Sequence, residues 1–467
     1  MAMEYVSTRG EAPALGFSDV LLTGLARDGG LYVPREWPRF SPQEIRALGG
    51  RPYAEAAFAL MRPFVGGEIP DEALKRIVDE SYATFRHKAV CPIVQTGPGE
   101  FILELFHGPT LAFKDVAMQF LARIMDHVLA ERGERVTIVG ATSGDTGGAA
   151  IHAFAGSSRA DVFILFPHGR VSPVQQRQMT TSGAENVQAL AIEGTFDDCQ
   201  GLVKGLFNDH AFRDRMSLSG VNSINWARIL AQIVYYFTSA VSLGAPDRSV
   251  SFTVPTGNFG DIFAGYAAKR MGLPIDRLII ATNENDILAR TLDGGQYATR
   301  AVVATTSPSM DIQISSNFER LLFEASGRKS EEIRAYMDGL KQSGSFTVRS
   351  DTLAAIRAEF AAGRASIAET AATIAGTMEE SGYLADPHTA TALKVAREQI
   401  QPRETMIVLS TAHPAKFPQA VSEACGISPA LPQWLAGLME GTERYTVLPS
   451  DLKMVEDHIS RHARAEG

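Results

Sequence analysis

The chain has few cysteines. Cys91, Cys199 and Cys425 are the three among 467 residues, and they stand far apart. They make neither a disulfide framework nor a CxxC metal pair, so a reducing compartment and no bound metal are expected. No uncharged apolar run of about 18 residues, the length that crosses a bilayer, is present. The opening MAMEYVSTRGEAP lacks the apolar stretch of a signal peptide. Basic excess is missing too: the net charge is −9, the isoelectric point is about 5.7, and no acidic or basic tail stands out. That balance argues against a protein that grips a nucleic-acid backbone. Internal repeats and low-complexity tracts are not evident. The expectation is a cytoplasmic protein with neither a nucleic-acid nor a membrane partner.

At 45% hydrophobic residues, the chain can build a large core and more than one domain. The first eighty or so residues carry the Gly- and Pro-dense LARDGGLYVPREWPRFSP, then the helical patterns YAEAAFALMRPFV and DEALKRIVDESYATF. A small, mostly helical N-terminal domain over residues 1–85 is expected. From about residue 90 the pattern changes to short apolar runs: FILELF, RVTIVGAT, DVFILFP, VQALAIEG, VSFTVPTG, RLIIATN and TMIVLST. Their length and β-branched content read as strands, with amphipathic helices such as NWARILAQIVYYFTSAVSL between most of them. This alternation implies an α/β fold with mostly parallel sheets covered on both faces. Residues 86–467 are read as one region of two lobes, the smaller at about 126–215. Within it, SEEIRAYMDGLKQSG, DTLAAIRAEFAAG and SIAETAATIAGTMEESG read as Ala-rich helices with Gly terminators.

Ligands of open α/β sheets bind beyond the carboxyl ends of the strands, and four turns there carry unusual chemistry. In FHGPTLAFKDVAMQF, Lys114 follows a Gly-Pro turn, and Val116, Phe120 and Ile124 recur at helical spacing. A helix therefore begins near Asp115. The positive end of its dipole and the flanking Leu111 and Phe113 favour the neutral amine, the form Schiff-base chemistry needs. The plain alternative is a surface lysine beside an N-capping Asp115. In VPTGNFGD, a strand ends in Gly257, Asn258, Phe259, Gly260 and Asp261 before a helix. Free N–H groups at that helix start suit a phosphate, and the glycines allow close approach. Asp261 is expected to turn away from the anion or to cap the helix. An ordinary strand-to-helix turn explains the segment equally well. The turn matches neither the G-x-G-x-x-G fingerprint nor a Walker loop.

In RVTIVGATSGDTGGAA, Thr142, Ser143, Gly144, Asp145 and Thr146 again join a strand to a helix. Hydroxyls and amides there suit a carboxylate or phosphate, or serve only as caps. TSGDTG is not the G-x-S-x-G elbow of hydrolases. In TMIVLSTAHPAKF, a strand ends at Ser410 and Thr411, with His413 and Lys416 beyond. Taken singly, these two read as a turn histidine and a solvated lysine.

Taken together, the segments STRGEAP, GLARDGGLYVPREWP, HGPTLAFKD, ATSGDTGG, NSINWARI, VPTGNFGD and STAHPAKF resemble the threonine synthase family, in order and spacing and over nearly the whole chain. These are pyridoxal-phosphate enzymes of the tryptophan-synthase-β type, fold type II. The resemblance implies that Lys114 holds the cofactor covalently and that Gly257, Asn258, Phe259, Gly260 and Asp261 bind its phosphate. It implies that Thr411 meets the pyridine nitrogen; a neutral hydroxyl there protonates the ring less firmly than a carboxylate would. Thr142, Ser143, Gly144, Asp145 and Thr146 match the loop that grips the substrate carboxylate. Asn222, Ser223, Asn225 and Arg228 match a segment expected to reach the cofactor or the substrate. Arg228 and Lys416, and less directly Arg177, are the cations expected for the substrate phosphate.

The implied activity is that of a carbon–oxygen lyase, turning O-phospho-L-homoserine and water into L-threonine and phosphate at the last step of threonine biosynthesis. A monomer or homodimer is implied. Three rivals remain at this point: an amino-acid dehydratase or a phospho-lyase of the same fold type, a non-catalytic relative, and, more remotely, a nicotinamide-dependent dehydrogenase.

Overall fold

The computed structural model describes residues 3–464. Two twisted sheets organise the chain. The larger runs Phe360–Arg364, Ile275–Thr282, Val250–Pro255, Met406–Ser410, Glu100–Glu104, Ile93–Gly97, with every neighbour parallel except the last, antiparallel pair. The smaller runs Thr446–Pro449, Val187–Glu193, Ala160–Pro167, Val136–Ala141, Leu218–Ser219 and is parallel throughout. All seven apolar runs read from the sequence form strands in these sheets. Ala160–Pro167 and Val250–Pro255 are buried at every residue, as expected for parallel strands covered by helices on both faces.

One stretch departs from the sequence reading. DTLAAIRAEFAAG is helical only over Ser350–Arg357, and Phe360–Arg364 is the parallel edge strand beside Ile275–Thr282. The helical pattern there is outweighed by a tertiary fit. Ala361, Ala362 and Gly363 are small, and a Cβ on Gly363 would lie 2.7 Å from Val395 Cγ1. Glycine at 363 lets the strand pass under the helix Pro387–Gln399, which carries Val395.

The N-terminal segment pairs Tyr5–Ser7 antiparallel with Tyr32–Pro34 and adds four helices, Phe17–Thr23, Pro42–Arg46, Tyr53–Val65 and Asp71–Tyr82. It shares one apolar cluster with the rest of the chain. Trp226, at the start of the helix Trp226–Ser242, is the meeting point. Its ring lies 5.7 Å from Tyr5, 6.0 Å from Trp37 and 5.8 Å from Phe64. Arg320 reinforces the joint: fully buried, it donates to Tyr32 O (3.0 Å) and Ile224 O (2.7 Å) with its guanidinium over the Trp226 ring. Glu319 beside it accepts from Thr8 Oγ1 at 2.6 Å and pairs with Arg9 at 3.0 Å.

Trp226→Ala empties a fully buried site that three rings line. It should cost about 3–5 kcal/mol of stability in denaturant unfolding. A cost below about 1 kcal/mol would mean that this joint does not hold the N-terminal segment.

Candidate active site

Lys114 is the first residue of the helix Lys114–Arg132 and is buried. The turn before it is tight. A Cβ on Gly108 would lie 2.5 Å from Asp115 Cβ, and Leu111 takes a left-handed φ of 60°. Asp115 does not cap the helix. Its carboxylate reaches back to Thr110, accepting from N at 2.8 Å and from Oγ1 at 2.7 Å, and burial raises its pKa to about 6. The turn is stitched to the fourth strand end. Phe113 N donates to Thr411 O at 2.8 Å, and His413 N donates to Leu111 O at 3.0 Å. Thr411, buried just past Met406–Ser410, is thereby brought against the start of the lysine helix.

Lys114 Nζ donates to Ser309 Oγ at 3.2 Å and to Asp145 Oδ2 at 3.3 Å. Burial pushes its pKa down; Asp145 opposes this, and the positive fields of Lys416 and Arg228 add to it. The net shift is toward the neutral amine.

Asp145 opens the helix Asp145–Phe154. Its Oδ1 takes Lys416 Nζ at 2.8 Å and Gln175 Nε2 at 2.9 Å. Burial by itself would raise its pKa, but the charges of Lys416 and Lys114 and the bonds from Lys416 and Gln175 hold the carboxyl well below the usual range. Lys416 is fully buried and also donates to Thr110 O at 2.8 Å. The loop around Asp145 is cross-braced by its own hydrogen bonds. Thr142 Oγ1 accepts from the amides of Gly144 and Gly147, both at 2.9 Å. Gly144 sits at φ +136°, and a Cβ there would strike the Gln175 side chain at 2.3 Å. Ser143 and Thr146 are half-buried in the same loop.

The turn after Val250–Pro255 leads into the helix Gly260–Arg270 through Phe259, in a left-handed conformation at φ 62°. Among the described residues, the amides of Gly257, Asn258 and Phe259 donate to nothing. Their carbonyl sides are held instead. Gly257 O accepts from Ser315 Oγ at 2.6 Å, and Asn258 O accepts from Asn317 N at 3.0 Å and Nδ2 at 2.9 Å. Since each peptide is planar, fixing its carbonyl aims the following N–H the opposite way. The close approach at Gly257 is to Ser309 O, 2.5 Å from where a Cβ would stand. Asp261 turns away to Tyr235 OH (2.5 Å) and Tyr236 OH (2.9 Å), and burial raises its pKa to about 6.

The segment 222–228 meets this turn from the other side. Asn317 Nδ2 donates to Ser223 O at 3.2 Å, and Asn222 is exposed. Asn225 is fully engaged as a brace: its oxygen accepts from Ala227 N (3.0 Å) at the helix start, and its nitrogen donates to Leu21 O (2.9 Å). Arg228 is buried, donates to Val221 O at 3.0 Å, and has no carboxylate partner among the described residues. Burial lowers its pKa to about 10. Arg177 points elsewhere, to Gly441 O (2.6 Å) and Glu443 (3.3 Å). His413 caps the turn Pro414–Lys416 through Ala415 N and lines a hollow of about 540 Å³ with Arg86, Glu104, His107 and Trp434.

Three side chains at this site carry no sequence signal. Ser309, Asn317 and Arg320 lie in or just after a stretch with no apolar period. What selects them is contact across the fold: Ser309 on Lys114, Asn317 on the Gly257–Phe259 turn, and Arg320 behind both.

Comparison with known proteins bears on the whole of this arrangement. The family model described as "Threonine synthase N terminus" matches residues 4–82, "Pyridoxal-phosphate dependent enzyme" residues 95–412, and "Threonine synthase, C-terminal" residues 389–459. Threonine synthase from Pseudomonas aeruginosa is 54% identical over 462 residues, covering 98% of each chain. The crystal structure of pyridoxal-phosphate-bound threonine synthase from Brucella melitensis matches with a TM-score of 0.98 at 68% identity, over 99% of this chain and 100% of that one. Yeast threonine synthase matches with a TM-score of 0.93 at 42% identity, over 99% of each chain. The chain therefore belongs to the threonine synthase family of pyridoxal-phosphate-dependent, fold type II enzymes.

Proposed function

We propose that this chain converts O-phospho-L-homoserine and water into L-threonine and phosphate, with pyridoxal phosphate held covalently on Lys114 Nζ. The observation that carries the reading is Lys114 itself: a buried amine, shifted toward its neutral form, linked through Ser309 to a turn whose three amides have no partner among the described residues. The residues suit the cofactor. The amides of Gly257, Asn258 and Phe259, backed by the helix dipole, receive its phosphate. Thr411 offers the ring nitrogen a neutral hydroxyl. Pyridoxal phosphate, when bound, supplies the electron sink for charge that develops on the substrate carbons.

The chain's own groups do the rest. Lys114 Nζ takes the proton from the substrate α-carbon and returns protons later, a dual role suited to an amine with a depressed pKa. The Thr142–Thr146 loop receives the substrate carboxylate. Asp145 does not repel that carboxylate, because Lys416 neutralises it at 2.8 Å. Arg228, a buried cation without an anion of its own, is assigned to the substrate phosphate. Asn225 serves as a brace and Asp261 as an anchor to the two tyrosines. Three free cysteines, and no helix among the described residues long and apolar enough to cross a membrane, accord with a cytoplasmic enzyme.

Hydride reduction of the purified protein should fix the cofactor on the peptide bearing Lys114. Lys114→Ala should fold and lose turnover by about four orders of magnitude or more. Threonine should be the product; 2-oxobutyrate would identify a phospho-lyase instead, and a tag on another lysine would end the assignment.

The rate at which the cofactor-free protein captures added pyridoxal phosphate should rise with pH as Lys114 loses its proton. It should level off below the ordinary lysine value of 10.5. Lys416→Met should move that plateau to higher pH. The variant removes a positive neighbour and leaves Asp145 to pair with Lys114 alone, and both effects stabilise the ammonium. A plateau that stays in place or moves down would contradict this electrostatic account.

Gly257→Ala should weaken cofactor retention by at least about tenfold, since its methyl must displace the Ser309 carbonyl or the turn itself. Equilibrium dialysis measures it, and unchanged retention would remove the phosphate assignment.

A further inference from the structure

Residues 299–317 form a largely irregular segment held by its own polar side chains and by Asn283 and Asn285. Asp311 is the hub. It accepts from Asn283 Nδ2 (2.8 Å), Asn285 Nδ2 (3.1 Å), Thr305 Oγ1 (2.7 Å) and Thr305 N (2.8 Å). This network presents the short turn Pro308–Met310, and with it Ser309, to Lys114.

Ser309 is fixed from a second direction. Its amide donates to His388 Nε2 at 3.2 Å, and His388 Nδ1 lies 2.7 Å from Asp386 Oδ2. Both of these side chains are buried. Because Nε2 accepts, the ring proton lies on Nδ1 and is donated to Asp386. Asp386 is held in turn as the cap of the helix Pro387–Gln399, accepting from the amides of His388 and Thr389, both at 3.0 Å.

A neutral primary amine has two N–H bonds and one lone pair. Lys114 Nζ meets two acceptors, Ser309 Oγ and Asp145 Oδ2. With both N–H bonds engaged, the lone pair has one tetrahedral direction left. The serine hydroxyl is oriented as well: it accepts from Lys114 and donates to Asp145 Oδ2 at 3.4 Å. We propose that Ser309 is a further catalytic residue that aims the Lys114 lone pair, and that His388 and Asp386 are positioning residues that hold Ser309 in place. The proposal rests on the assignment of Lys114 made above. The Ser309 carbonyl also packs on Gly257, so one turn sets both the direction of the amine and the floor of the anion cradle.

The test uses the full chain, stripped of cofactor and mixed with pyridoxal phosphate. It reads the rate of covalent capture by absorbance, then kcat and KM with O-phospho-L-homoserine. Ser309→Ala should slow capture and lower kcat by about tenfold or more, while KM changes by less than about threefold. Ser309→Thr keeps the hydroxyl and should recover most of the loss. His388→Ala should lower both rates. His388→Gln, whose Oε1 can accept from the Ser309 amide where Nε2 does, should restore them. If Ser309→Ala does not fold, Ser309→Cys, close in size and a poor acceptor, takes its place with the same expectation.

Capture and turnover within about twofold of the native protein in Ser309→Ala would overturn the proposal. So would His388→Gln performing no better than His388→Ala. A native protein tagged at Lys114 beside an unimpaired Ser309 variant overturns this inference alone. A native protein with no tag at Lys114 overturns the functional reading beneath it.

Discussion

A buried carboxylate shared between two lysines is the constraint on which the site depends. Asp145 sits 2.8 Å from Lys416 and 3.3 Å from Lys114, and none of the three faces solvent. Burying three charges away from water is costly unless they compensate one another. Asp145 and Lys416 already form a neutral, hydrogen-bonded pair. A proton on Lys114 then adds an unbalanced positive charge beside Lys416 and near Arg228. Together with burial, that excess of positive charge pushes the Lys114 pKa down. The pair also joins the two sheets, since Asp145 follows the strand Val136–Ala141 and Lys416 the strand Met406–Ser410.

The same logic extends outward from the reactive amine. Lys114 is fixed by a turn bonded to Thr411, and Thr411 directly follows Met406–Ser410, a central strand of the larger sheet. The Gly257–Phe259 turn is fixed by Asn317, and Arg320 ties Asn317 to the N-terminal segment through Tyr32. Among the described residues, none of the first eighty hydrogen-bonds Lys114, yet through Tyr32, Arg320 and Asn317 they brace the Gly257–Phe259 turn.

Local chemistry made part of this legible in the sequence. Continuous apolar runs mark strands buried on both faces, and Gly-rich turns after them mark the carboxyl edge where ligands bind, so Lys114, Thr142–Thr146, Gly257–Asp261 and Thr411 could be found one by one. Their resemblance to a family joined them into one site. The residues that stayed hidden are set by partners distant in sequence. Ser309 reaches Lys114 across 195 residues. Asn225 is expected at the ligand through the family resemblance of its segment, but its oxygen accepts at a helix start and its nitrogen donates to Leu21 O. The Phe360–Arg364 strand was hidden for a related reason: alanine and glycine are there to fit beneath Val395, which no local period reports.

Aspartate at position 145 follows from its neighbours. An asparagine with its oxygen in the Oδ1 place could still accept from Gln175 and Lys416, but it would leave Lys416 buried among neutral acceptors with no counter-charge. An unpaired buried charge of that kind costs about 3–5 kcal/mol. Replacing Lys416 alone carries a smaller penalty, because Asp145 keeps Lys114 as a partner, but it ties up the amine that must stay free. Asp145 and Lys416 are therefore a unit. The lysine makes the carboxylate tolerable beside an anionic substrate, and the carboxylate makes the lysine tolerable inside the protein. Lys114 is left without a carboxylate to itself, and burial beside two further cations pushes its pKa down.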